Sequence, residues 1–132
     1  MANVEPIFIA TTKSPGLLIE NSDGTSEQTL FTASTDGALV QSISVSSDDT
    51  NAVDVQLFLN DGTTSHLMGT VNIPTLAGTD GVEANINLLA SINGLQADGS
   101  LILEASHSLT VAALVTVTSA KKVTLVVQGG DL

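Results

Sequence analysis

An all-β domain, a sandwich or barrel of about eight or nine short strands, is what this 132-residue chain predicts. Asp-Gly occurs five times, at Asp23-Gly24, Asp36-Gly37, Asp61-Gly62, Asp80-Gly81 and Asp98-Gly99. Glycine takes up positive φ without steric cost and aspartate bonds its own backbone, so each pair marks a tight turn. Between the turns, apolar and polar side chains alternate at period two, as half-buried strands require. No repeat or low-complexity linker divides the chain, and its length suits one core.

The first strands are expected at 7–12 (IFIATT), 16–20 (GLLIE) and 28–33 (QTLFTA). Over 39–46, Leu39, Ile43 and Val45 share a face with Gln41 among them, against Val40, Ser42, Ser44 and Ser46. Over 53–59, Val53, Val55, Leu57 and Leu59 point inward, opposite Asp54, Gln56 and Phe58. Asn60-Asp61-Gly62 then turns the chain into a hairpin. In its second strand Leu67, Gly69, Val71 and Ile73 share the inner face, leaving Ser65, His66 and Met68 outward beside Phe58. The stretch 82–95 (VEANINLLASINGL) breaks the rhythm. Ile86, Leu89, Ala90 and Ile92 fall near helical spacing before Gly94, so one short helix is expected there. Strands follow at 100–105, 109–117 (LTVAALVTV) and 122–127 (KVTLVV). The last two are continuously apolar and read as buried on both faces, against the core on one side with a neighbour as candidate cover on the other.

Fourteen Asp and Glu stand against three cations, Lys13, Lys121 and Lys122, giving a net charge of −11. Such a field repels phosphate backbones and anionic headgroups, which argues against nucleic acid and membrane surfaces as partners. There is no cysteine, hence no disulfide and no thiolate metal site. No apolar run approaches the roughly 20 residues of a spanning helix. The opening MANVEPIFIATTK has neither the basic region nor the apolar core of a signal peptide, so the expectation is a protein made and used in a cytoplasm, or one that leaves by a route other than secretion. The chain is 42% apolar with a mean hydropathy of +0.35, and its polar residues are mainly Ser, Thr, Asn and Gln. A surface that weakly charged suits contact with other subunits. A Ser/Thr-rich monomeric sandwich would read the same way.

Little in the chain suggests reaction chemistry. His66 and His107 are the only imidazoles, far apart and without acids at zinc-ligand spacing, and no G-x-S-x-G elbow is present. Asn21, Asp23 and Glu27, and then Asp48, Asp49 and Asn51, raise the question of calcium. In NSDGTSEQTL, however, Gly24 comes too early for an EF-hand loop, which leaves only a surface ion at an assembly interface. Phosphate-binding glycine motifs are absent, and with Phe8, Phe31 and Phe58 as the only aromatics a sugar-stacking platform has little support. No cofactor is called for and no catalytic residue is assigned.

Several segments together resemble a known family. They are TLFTASTDGALVQSISVSSDD, VQLFLNDG, the link GTVNIPTLAGTDG, the step LILEASHSLTV and the terminal VVQGGDL. From about residue 16 to the end the chain resembles the capsid decoration (cement or head-stabilising) proteins of tailed bacteriophages. The resemblance implies a jelly-roll-like antiparallel β-sandwich of about eight strands with one short helix. It also implies a homotrimer on the outer capsid surface, bridging capsomers of the major capsid protein, in a virion made in the host cytoplasm. Residues 1–16 would form an N-terminal arm and 17–132 the sandwich. Candidate interface residues are Phe8 and Lys13 in the arm, Phe58, His66 and Met68 on the hairpin, and the Lys121-Lys122 pair. A head-fibre, tail or baseplate component, and a host-surface or carbohydrate-binding adhesion module, are the competing readings. A cupin-like enzyme ranks last.

Overall fold

The computed structural model describes residues 9–132. Within these residues ten strands form two antiparallel sheets packed as a sandwich, with 51% of the described residues in strands. In chain order they are β1 (Thr11–Lys13), β2 (Gly16–Glu20), β3 (Gln28–Thr32), β4 (Ala38–Ser47) and β5 (Val53–Asn60), then β6 (Ser65–Ile73), β7 (Ile86–Asn87), β8 (Leu101–Leu103), β9 (Ser108–Ala113) and β10 (Lys122–Asp131).

The pairing is that of a ribbon rolled on itself. β5 and β6 form the closed hairpin at its tip, β4 pairs with β7 and β8, β3 with β9, and β2 with β10. Rolling brings β10 beside β4 and β9 beside β5. One sheet then reads β1/β2, β10, β4, β7/β8, and the other β3, β9, β5, β6. This is the jelly-roll arrangement, which the sequence reading anticipated in outline. Between the sheets lie Ile19, Ile43, Val45, Val55, Leu57, Val111 and Leu125, none more than 1% exposed. Each removes an aliphatic side chain from water, worth roughly 1.5–3 kcal/mol apiece.

All five Asp-Gly glycines have positive φ, for example +58° at Gly24 and +101° at Gly62. At four of the turns the aspartate side chain accepts a nearby backbone N–H: Asp23 from Glu20, Asp61 from Thr63 and Thr64, Asp80 from Val82 and Glu83, and Asp98 from Ser100.

The expected helix in 82–95 is a single 3₁₀ turn, Leu88–Ser91, preceded by the two-residue strand β7. The segment 88–100 leaves the sheet between β7 and β8 and turns Leu88, Leu89 and Ile92 into the core. Ile92 lies over Gly69 of β6, where a Cβ would stand 2.6 Å from its Cδ1. The apolar spacing that suggested a helix is thus the spacing of a plug.

Three bulges interrupt the alternation, and those in β4 and β6 correct the strand faces assigned from it. A bulge inserts one unpaired residue, and with a period of two that reverses the facing of everything beyond it. Leu30 is the extra residue in β3, Gln41 in β4 and Met68 in β6. Beyond Gln41, Val40 is buried and Leu39 lies outside, half-buried, the reverse of the expectation. Around Met68, Leu67 is 55% exposed while Met68 packs against the core, so Met68 is not on the outer face. Nor does the strand expected over 109–117 run that far. β9 stops at Ala113, with Leu114 and Val115 exposed in the loop beyond. β9 itself is buried on both faces within this chain, whereas β10 alternates, with Val126 37% exposed.

Candidate contact surface

The sandwich has two ends. At one lie the loops 21–27, 48–52, 74–85 and 114–121, and around Asp49 they are knotted together. Asp49 is 1% exposed, and its carboxylate is fully engaged. Its Oδ1 accepts from Asn51 N (2.9 Å) and Thr118 Oγ1 (2.8 Å), and its Oδ2 from Thr118 N (2.9 Å). Its carbonyl accepts from Leu76 N, and Ser47 N binds the Ala77 carbonyl, which ties in loop 74–85. Asn21 Nδ2 donates to the Val117 carbonyl at 2.8 Å. Burial pushes the Asp49 carboxyl up, but the N–H donors of Asn51 and Thr118, the Thr118 hydroxyl and the nearby Lys121 charge outweigh it. The group is held below its ordinary value of 3.8.

On this braced end stand three apolar side chains that sequence reasoning missed. Val82 is 87% exposed, Val115 68% and Leu114 48%. Leu114 and Val115 fall within the strand that the sequence predicts over 109–117. The signal that could have found Val82 is its place directly after the Asp80-Gly81 turn, where Asp80 Oδ1 caps Val82 N (2.9 Å) and projects the loop outward. Lys121 and Lys122 belong to the same end. Lys122 is exposed and its backbone N–H is held by Asp48 Oδ1 at 2.7 Å, while Lys121 is half-buried.

The remaining expected contact residues scatter. Phe8 lies outside the described residues. Lys13 does not project: its Nζ is 2.8 Å from Asp131 Oδ2, donates to the Thr32 carbonyl at 3.1 Å and sits 5.3 Å from the centre of the Phe31 ring. It therefore clamps β1 to the end of β10 and to β3, beside an open groove of about 490 Å³ lined by Ser14, Pro15 and Leu30 among others. Of the arm expected over 1–16, Thr11–Lys13 lie in register along β10 as an edge strand. Phe58 is half-buried on the outer face of its sheet, paired with Leu67 on one side and Thr110 on the other. Leu67, not Met68, is thus its apolar neighbour there.

His66 is exposed on the hairpin, with Nε2 3.2 Å from Asp61 Oδ2. The backbone N–H groups of Thr64 and Thr63, with the His66 ring, hold the Asp61 carboxyl far below the usual carboxylate range. His107 lies at the other turn, 3.8 Å from Glu104. Among the described residues no three His, Cys, Asp or Glu side chains gather as a metal set. The acids considered for calcium face protein donors instead: Asp23 the N–H of Glu20, Glu27 the Ser65 hydroxyl, and Asp48 the N–H of Lys122. What the described surface offers is apolar contact on a rigid base. Comparison of the chain with protein-family models, with curated proteins and with solved structures finds no match.

Proposed function

We propose that this chain is a structural subunit of a tailed-phage particle, a decoration protein that docks on the outside of the head as a homotrimer and bridges neighbouring capsomers. The observation that carries the reading is the exposure of Val82, Leu114 and Val115 on loops cross-braced through Asp49. Apolar side chains held out on a rigid base suit burial against a partner, and ordering them on contact costs little further entropy. The jelly-roll sandwich and the segments that resemble decoration proteins agree with it. The mechanism is mass action. A subunit that binds only the mature shell stabilises it by its binding free energy at every site, and a trimer engaging three patches adds avidity of about 10²–10⁴.

Sedimentation equilibrium with interference optics, needed because Trp and Tyr are absent, tests the assembly state. Three times 13.4 kDa is expected. Co-sedimentation with mature heads lacking decoration protein tests docking. Serine at both Val82 and Val115 is expected to weaken head binding more than tenfold, since each valine buries a side chain worth about 1.5 kcal/mol or more. Its thermal unfolding should match that of the parent. A monomer that ignores the heads would overturn the reading.

A further inference from the structure

We propose that Asn93 is a site of spontaneous covalent modification, deamidated through a cyclic imide in the folded protein while the other described asparagines are protected. Those six are each held by a side-chain hydrogen bond. Asn21 binds the Val117 carbonyl, Asn51 the Thr118 hydroxyl, Asn60 Ser65, Asn72 Asp54 and Asn85 Ser44, while Asn87 accepts from the N–H groups of Ile43 and Leu89. Asn93 makes no such bond among the described residues and is exposed. It is also the one asparagine followed by glycine, so no side chain shields the next peptide nitrogen. Gly94 is exposed, has a φ of +89°, and its N–H has no partner among the described residues. Nothing has to break before the nitrogen can approach the side-chain carbonyl.

The chemistry needs only water and hydroxide. Hydroxide takes the Gly94 amide proton, and the nitrogen attacks Asn93 Cγ. The N–Cγ bond forms, the Cγ–Nδ2 bond breaks, and ammonia leaves with a proton from water, regenerating hydroxide. Water then opens the five-membered imide. Attack at Cγ yields aspartate, and attack at the main-chain carbonyl carbon yields isoaspartate, with the chain rerouted through Cβ and Cγ. No electrons are transferred, and the product carries one more negative charge.

The place gives the reaction a consequence. Asn93-Gly94 lies between Ile92, 8% exposed over Gly69, and Leu95, partly buried against the core. An isoaspartate adds one backbone atom between these two anchors of the plug segment.

The test is a time course of the full-length protein at neutral and mildly alkaline pH. It is read by intact mass and by peptide mapping with fragmentation that separates aspartate from isoaspartate, in buffer and in urea. In buffer, the peptide containing Asn93 should gain one mass unit before those containing the other six, as a mixture of both acids. Its rate should rise in proportion to hydroxide and come within a few-fold of its rate in urea, whereas the other six should be slower in buffer than in urea. Asn93→Gln should remove the early mass gain. If Asn93 in the folded chain is no faster than Asn72 or Asn85, or is protected many-fold relative to urea, the proposal fails.

Discussion

Replacing Asp49 by asparagine tests whether the loop end is held by one buried carboxylate. The change keeps volume and shape but turns one oxygen into an NH2 group. The carboxylate accepts from two backbone N–H groups on opposite oxygens, Asn51 at Oδ1 and Thr118 at Oδ2. In either orientation of the new amide, one of these N–H groups faces a donor. The loss is one charge-assisted hydrogen bond plus a part-buried N–H without a partner, together about 3 kcal/mol. Over a domain of this size that lowers the melting temperature by about 10 °C. Far-UV circular dichroism in urea and on heating is the assay, again because the chain has no Trp or Tyr.

Acid adds a second readout. The folded-state pKa of Asp49 is depressed below 3.8. Its contribution is therefore complete above the unfolded value and is lost as pH falls through the lower folded value. The stability gap between parent and Asp49→Asn should be widest near neutrality and close below about pH 4. Asp48→Asn, at a half-buried acid with one backbone donor, should cost no more than about 1 kcal/mol. An Asp49→Asn protein within 0.5 kcal/mol of the parent, a difference ordinary for surface changes, would refute the knot as the brace of this end.

Thr110 is 5% exposed and its hydroxyl has no hydrogen-bond partner among the described residues, so Thr110→Val should stabilise the fold by about 1 kcal/mol, read by urea titration. Gly129→Ala and Gly69→Ala separate two kinds of crowding. At Gly129 the added methyl meets the Leu39 carbonyl oxygen and the Val40 Cα, backbone atoms in the centre of a sheet, and a loss of about 3 kcal/mol is expected. At Gly69 it meets only the movable Cδ1 of Ile92, and the loss should stay near 1 kcal/mol. Equal losses at the two positions would contradict this distinction.

The strands were legible because their turns are written in residues that can do little else. All five Asp-Gly pairs turn, and the 16–20, 28–33 and 53–59 strands lie within a residue or two of where alternation put them. Facing was legible only up to a bulge. Nothing in SHLMGTVNI marks Met68 as the residue without a partner, because the extra residue is chosen by the match between two strands. A period-two pattern carries no information about its partner. The same holds for Lys13. Its sequence neighbours are Thr12 and Ser14, and the Asp131 that neutralises it is supplied by the far end of the chain. Asp49 read as one acid in a polar loop, and its burial depends on Thr118 and Leu76, both distant in sequence.

The placement of charge restricts how copies of this molecule can meet. On the outer face of the β10–β4 sheet, the register gives four rows across the strands. They are Leu18, Thr124 and Ser46; Val126, Ser44 and Asn87; Gln128 and Ser42; and Gly130, Leu39 and Ile102. None of these carries a charge; Glu20 with Lys122 stands in the next row at one margin, and Asp98 borders the groove beside Leu39 and Ile102 at another. The loop end is different: Asp23, Asp48, Asp80 and Glu83 outnumber Lys121 and Lys122 there. For a chain of net charge −11, two copies brought together by their loop ends would oppose acid to acid. Two copies brought together by this sheet face would oppose hydroxyls, amides and a few aliphatic groups, with little Coulomb cost at contact. A partner for the loop end must therefore be another surface, one that offers an apolar seat for Val82 and Val115 and tolerates the acids around them. The sheet face is left to lateral neighbours.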